Sequence, residues 1–249
     1  PHAAGTVDVT VLGPDGQTGT LRNAFTYHSP SATIVRVDAD NVSGVEDGVA
    51  WETAFSSIQA GIDAVKATGE SGEVWVAEGN YLDTGSVIVA MEPFCDVFGG
   101  FAGNESLREE RNIAAHICTI DGDNARACVY GADNARLDGF TITRGNGPAR
   151  EGMNGNLSVF SSLGYTTAEI NHILTIDNSG VSPTIANCVI TGNSPGFAVM
   201  LNLTEYNKSS SPLIIGCMFT ENPGHAYAML NGDTVGAVSR ARVMDSAFA

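Results

Sequence analysis

The chain has 249 residues, and 28 Asp and Glu against 12 Lys and Arg leave a formal charge of −16. Such a surface excludes nucleic-acid binding by phosphate neutralisation and attachment to anionic lipid through a basic patch. A hydrophobic content of 43% excludes disorder, no apolar run approaches the ~20 residues that cross a bilayer, and 29 Gly with few charges is the composition of an all-β, turn-rich chain.

The sequence opens on Pro1-His2 and closes on Ser246-Ala247-Phe248-Ala249. It shows no signal peptide with a basic start and an apolar middle. We read it as a piece of a longer protein. Thr6 to Val11 alternates as a strand does, Gly13-Pro14-Asp15-Gly16 is a turn, and Leu21 to Tyr27 is the return strand. A lone hairpin is marginal in water, so partner strands are expected upstream. The stretch "GTVDVTVLGPDGQTGTLRNAFTY" resembles the closing hairpin of an IPT/TIG domain, an immunoglobulin-like module that recurs in bacterial surface proteins. Residues 1–30 are read as the end of such a domain, and 31–249 as a second one.

Thr33 to Val37 reads as a strand and leads into a loop rich in Asp. Asp38, Asp40, Asn41 and Asp47 gather hard oxygen ligands of the kind that hold Ca²⁺. The same residue types also make turns and cap helices. The spacing departs from the EF-hand loop, which favours the turn-and-cap reading. Trp51, Phe55, Ile58, Ile62 and Val65 form one apolar stripe, predicting a helix over 51–67 with Gly69 as its stop. Gly72 to Ala77 begins the next strand.

The last third carries a repeat. Ser182-Pro183-Thr184-Ile185-Ala186-Asn187-Cys188-Val189-Ile190-Thr191-Gly192-Asn193 aligns with Ser211-Pro212-Leu213-Ile214-Ile215-Gly216-Cys217-Met218-Phe219-Thr220-Glu221-Asn222 at an offset of 212 − 183 = 29. Met200, Leu201 and Asn202 recur at Met229, Leu230 and Asn231 by the same step, and a third copy gives Val243, Ser246 and Phe248. Leu137 to Asn146 is an earlier copy, followed by an insertion over 147–172. A period of this length means an array, and short β-branched runs broken by Asn, Gly and Pro favour a β-solenoid. Equivalent residues then stack at about 4.8 Å. Ile185, Ile214 and Val243 should form one column; Ile190, Phe219 and Phe248 a second; Cys188, Cys217 and Ser246 a third. Asn193 and Asn222 should bond from rung to rung at a turn.

The segments "GEVWVAEGNY", "VFGGFAGNESLREERN", "IDGDN" and "LDGFTITRGNG" resemble bacterial right-handed parallel β-helix repeat proteins. "VDADNVSGVEDGVAWETAFSSIQAGIDAV" is similar to their opening segment and helix, and the Asn-Cys-x-Ile-x-x-Asn and Cys-x-Phe-x-x-Asn copies resemble the Phe-x-x-Asn repeats of chlamydial polymorphic outer membrane proteins. The resemblance implies an all-β, right-handed parallel β-helix capped at its N-terminal end by residues 51–67. The Gly-Gly-Ala-Ile/Leu tetrapeptides of the chlamydial pattern are absent.

Cys95, Cys118, Cys128, Cys188 and Cys217 show no metal-binding spacing and are read as buried apolar groups. Many parallel β-helices cleave acidic polysaccharides. Asp121, Asp123 and Asp138 with Arg126, Arg136 or Arg144 are the candidates for lyase or hydrolase chemistry, and they read equally well as turns. The Asn-Thr-Asp, Asp-Asp, Gly-His-Gly and Arg-Ile-Lys set of polygalacturonases is absent, and His225 stands alone. Sequons lie at Asn41, Asn104, Asn156, Asn202 and Asn207. The preferred expectation is a non-catalytic segment of an exported bacterial surface protein, a stalk or adhesion module that meets glycans or surface proteins outside the cell. A polysaccharide lyase or hydrolase and a self-associating filament or surface-layer subunit are the two alternatives. The expected partners include Ca²⁺ or another divalent cation, but no nucleic acid and no membrane insertion by this segment.

Overall fold

The computed structural model describes residues 5–14, 16–27, 33–148, 174–203, 209–223, 227–232 and 238–249. It divides into two compact units, Pro1–Thr33 and Ile34–Ala249. In the first, strands Gly5–Leu12 and Thr18–Tyr27 pair antiparallel, with a bulge between Val7 and Val9. Gly16 sits at φ +80° in the turn and donates to the Gly13 carbonyl at 3.0 Å. The return strand thus begins three residues before Leu21, because the Thr10 and Thr20 hydroxyls pair across the ladder at 2.9 Å.

The second unit is a parallel β-helix of three faces. Strands 72–77, 95–101, 136–138, 184–186, 213–215 and 242–244 stack in order on the first face, with Thr33–Val37 on its N-terminal edge. The second face stacks 79–81, 118–121, 140–143, 189–191, 218–220 and 247–248. The third stacks 87–90, 127–130, 174–177, 198–203 and 227–232. Among the described residues, the ladders between successive rungs are parallel.

The interior is a set of columns. Val74, Val97, Leu137, Ile185, Ile214 and Val243 are in register on the first face, and the first five are fully buried. Tyr81, Ile120, Ile142, Ile190, Phe219 and Phe248 run up the second. The last two rings stack with centroids 4.7 Å apart, as the repeat predicts. Val89, Val129, Ile176, Met200 and Met229 fill the third.

Single left-handed residues turn the chain between faces. Gly100, Gly139, Asn187, Gly216 and Asp245 occupy the corner from first to second face, with φ between +48° and +98°. Asn and Asp tolerate this region because their short side chains bond locally. The Asn187 side chain reaches to the preceding rung, donating to the Asp138 carboxylate at 3.0 Å.

The N-terminal end is closed by a helix, Ile58–Thr68. It is shorter than the stripe from Trp51 predicts. Phe55 instead pairs with the strand before it, donating to Arg36 and accepting from Asp38. Ser57 then caps the helix by accepting from the Ala60 N–H at 3.2 Å, and Gly69 ends it at φ +71°. Ile58, Ile62 and Val65 are buried in the main core with Val35, Val37 and Val74. Gly61 permits the close approach, since a β-carbon there would lie 2.7 Å from Val37 Cγ2. The Gln59 amide bonds both the N–H and the carbonyl of Ala90, covering the open edge of the third face.

Candidate functional site

The corner between the first two faces carries a polar cluster and a groove. Loop 102–117 leaves the first face after Phe101 and returns at Cys118. It lies flat because Gly100 and Gly139 lack side chains: β-carbons there would meet Ile113 at 2.9 and 3.0 Å. Glu105 holds the loop's start, accepting from the N–H groups of Ala102, Gly103 and Asn104 at 2.7 to 3.1 Å. Trp51 Nε1 donates to the Glu105 carbonyl at 2.9 Å. Glu110 accepts from the Ser106 and Leu107 N–H groups, and these bonds hold its carboxyl below the usual range.

The loop's arginines cover an apolar column on the outside of the first face. Trp75 and Phe98 are in register there and almost fully buried. Arg108 and Arg111 place their guanidinium carbons 4.8 and 5.1 Å from the Phe98 centroid, and Trp75 stacks on Phe101 at 4.9 Å. Arg108 also pairs with Glu73 at 2.7 Å. The same column continues into Asp138, whose side chain is 1% exposed. Arg111 Nη2 donates to one Asp138 oxygen at 2.9 Å, and Arg136 Nε and Nη2 donate to the other at 2.7 and 2.5 Å. Burial pushes this carboxyl up, but the Asn187 and arginine hydrogen bonds outweigh it, so the net shift is downward.

A second cluster sits at the next corner. Arg144 chelates Asp121 through Nε at 2.7 Å and Nη2 at 2.5 Å, and reaches Asp123 at 3.3 Å. Arg126 lies 3.6 Å from Asp123. Burial of Asp121 is again outweighed by the Arg144 bonds and the Asp123 N–H, leaving its carboxyl lowered. The predicted acids and bases are therefore brought together, but as closed ion pairs. A general acid needs a raised pKa and a free proton path; Asp121 and Asp138 have the opposite shift.

The Asp-rich loop resolves into local bonds. Asp38 Oδ1 accepts from the Asp40 N–H at 2.9 Å. Asn41 Nδ2 donates to the carbonyls of Val45 and Ala54. Asp47 Oδ1 accepts from the Val49 N–H at 3.0 Å and the Thr53 hydroxyl at 2.5 Å, and the hydroxyl lowers its pKa. Among the described residues no group of three or more His, Cys, Asp or Glu is placed to hold a metal ion.

All five thiols are free and buried. Burial raises Cys95 to about 12 and Cys118 to about 11, which removes thiolate character at neutral pH. Asn41 and Asn202 spend their amides on internal bonds, while Asn104 is exposed. Asn156, Asn207, His225 and the 147–172 insertion from residue 149 on lie outside the described residues.

Beside loop 102–117 runs an open, mainly apolar groove of about 310 Å³, bordered by Ile113, Ile117, Thr141, Asn187 and Val189. Sequence reasoning missed Arg111, Glu105 and Asn187 as parts of this corner. Asn187 had a signal in its place beside Cys188 in the repeat, and Glu105 and Arg111 lie in the segment 97–112 that resembles β-helix repeat proteins. The chain matches no protein-family model, no curated protein and no solved structure.

Proposed function

We propose that this chain is a non-catalytic segment of an exported bacterial surface protein, a β-helical stalk or adhesion module that meets glycans or proteins along its faces. The observation that carries the reading is the parallel register, kept through successive rungs on all three faces. A stack of this kind gives a stiff rod whose length grows with each rung and whose sides repeat. The closing of Asp121 and Asp138 onto arginines supports a binding rather than a cleaving role. The acidic surface and the hairpin similar to an IPT/TIG closing hairpin support exposure outside a bacterial cell. The resemblance to β-helix repeat and chlamydial polymorphic outer membrane proteins points the same way.

The test incubates the chain with a panel of neutral and acidic glycans, with and without Ca²⁺. Retention on immobilised glycan or on bacterial surface protein is expected, without new reducing ends or unsaturated products. Release of unsaturated uronate would replace this reading with a lyase. Extended assemblies under the electron microscope would replace it with a filament or layer subunit.

A further inference from the structure

Two thiols on neighbouring rungs share one core column. Parallel pairing of Val189 with Met218 sets Cys188 beside Cys217, and the Met218 N–H donates to the Cys188 carbonyl at 2.9 Å. The side chains are 1% and 2% exposed. Cys188 Sγ also lies 3.1 Å from the Ala186 carbonyl, and Cys217 Sγ lies 3.5 Å from those of Ile185 and Ile215. Phe140 precedes the pair in this column and Ser246 follows it. The pair is thereby separated from Cys118, which stands one rung before Phe140.

We propose that Cys188 and Cys217 form a two-sulfur site for a soft d¹⁰ cation of the Cu(I) or Ag(I) type, bound across two rungs of the β-helix. Thiolate and thiol sulfurs select such ions over hard cations. Two metal–sulfur bonds of ~2.3 Å set end to end span about 4.6 Å, close to the roughly 4.8 Å between adjacent strands. Zinc needs four ligands, and among the described residues no group of three or more His, Cys, Asp or Glu gathers here. A linear two-coordinate ion needs only the pair.

Charge also fits. The cation binds both sulfurs, one thiol proton leaves to solvent, and the other thiol keeps its proton. The bound group is then neutral. A second thiolate would leave net negative charge in a site that is almost fully buried. The three carbonyls that now face the S–H groups would face a cation instead, a favourable exchange of dipole partner.

The test titrates the 249-residue chain with Ag(I) and follows it by native mass spectrometry. One ion per chain, with one proton displaced, is expected. Binding should persist in the Cys95→Ser/Cys118→Ser/Cys128→Ser variant and fall at least tenfold in Cys188→Ser and in Cys217→Ser. Serine is close to cysteine in size, and circular dichroism checks the fold of each variant. X-ray absorption on the Cu(I) form should report two sulfur neighbours. Undiminished binding in the Cys188→Ser/Cys217→Ser variant overturns the proposal. So does a mass two hydrogens lower without metal, which marks a disulfide.

Discussion

The rungs before residue 148 and those after residue 184 share one cross-section but hold their corners by different means. In the early rungs the distance between stacked residues varies: Val74 to Val97 is 97 − 74 = 23, and Val97 to Leu137 is 137 − 97 = 40. The surplus goes into loop 102–117, which is tied down by Arg108, Arg111, Glu105 and Asp138. In the late rungs every step is 29, as in Asn193 to Asn222, and amide ladders do the same work. Asn193 Nδ2 reaches Asn222 Oδ1 at 2.9 Å, and Asn202 Nδ2 reaches Asn231 Oδ1 at 2.9 Å by the same step; Asn178, just before these rungs, joins Asn202 at 3.0 Å across a step of 202 − 178 = 24. Irregular spacing calls for ion pairs that bridge uneven gaps. Regular spacing permits identical neutral groups to bond in register, each satisfying the next.

The strongest way to break this comparison is to attack what the two parts share. Phe140→Ala should cost about 3–5 kcal/mol and Ile214→Ala about 2–5 kcal/mol, because both side chains are buried in one continuous core. Urea unfolding should remain a single transition in each variant; two transitions would mean the parts fold independently.

Removing one corner device from each part comes next. Asn193→Ala strands partners at Gly145, Ile142, Thr191 and Asn222 and should cost roughly 2–3 kcal/mol. Asp138→Ala removes the carboxylate that accepts from Arg111, Arg136 and Asn187, and a similar ~2–3 kcal/mol is expected because Arg111 keeps its backbone acceptors and Arg136 can turn to water. Hydrogen exchange should show the first loss around residues 191–222 and the second in loop 102–117.

Acid should separate the parts further. Asp121 and Asp138 have folded pKa values below the ordinary 3.8, so their stabilisation is complete above that value. It is lost as the pH falls through the lower folded values. The amide ladders do not titrate. Exchange measured from pH 5 down to pH 2 should therefore open the ion-paired corners before the Asn193 ladder.

The smallest effect has the opposite sign. Burial raises Asp96, and Glu73 beside it adds to the shift, so its ionised form opposes folding near neutrality. Its Oδ1 accepts from the Arg136 N–H at 2.9 Å, a bond an amide oxygen can keep. Asp96→Asn should raise the Tm slightly at pH 7 and leave it unchanged at pH 3.

The columns of the late rungs were legible because identical chemistry returns at a fixed step. Ile185, Ile214 and Val243, or Cys188, Cys217 and Ser246, need no knowledge of the third dimension beyond a strand spacing. The helix was legible in kind, but its start was not. The apolar stripe counts Trp51 and Phe55, whereas backbone pairing with Arg36 and Asp38 claims Phe55, and Trp51 goes to the outer aromatic cluster.

The acidic loop shows the same division. Its composition offers oxygen ligands, and the fold turns one oxygen each of Asp38 and Asp47 to a nearby N–H or hydroxyl group. Composition and period by themselves determined an all-β solenoid, its core columns and its acidic surface. Tertiary structure alone decided which carboxylates are closed by arginine, because Asp138 finds Arg111 at a separation of 27 residues and Asn187 at 49. Those separations follow from insertion lengths that no local pattern encodes, whereas a column follows from hydrogen bonding between strands that every rung repeats.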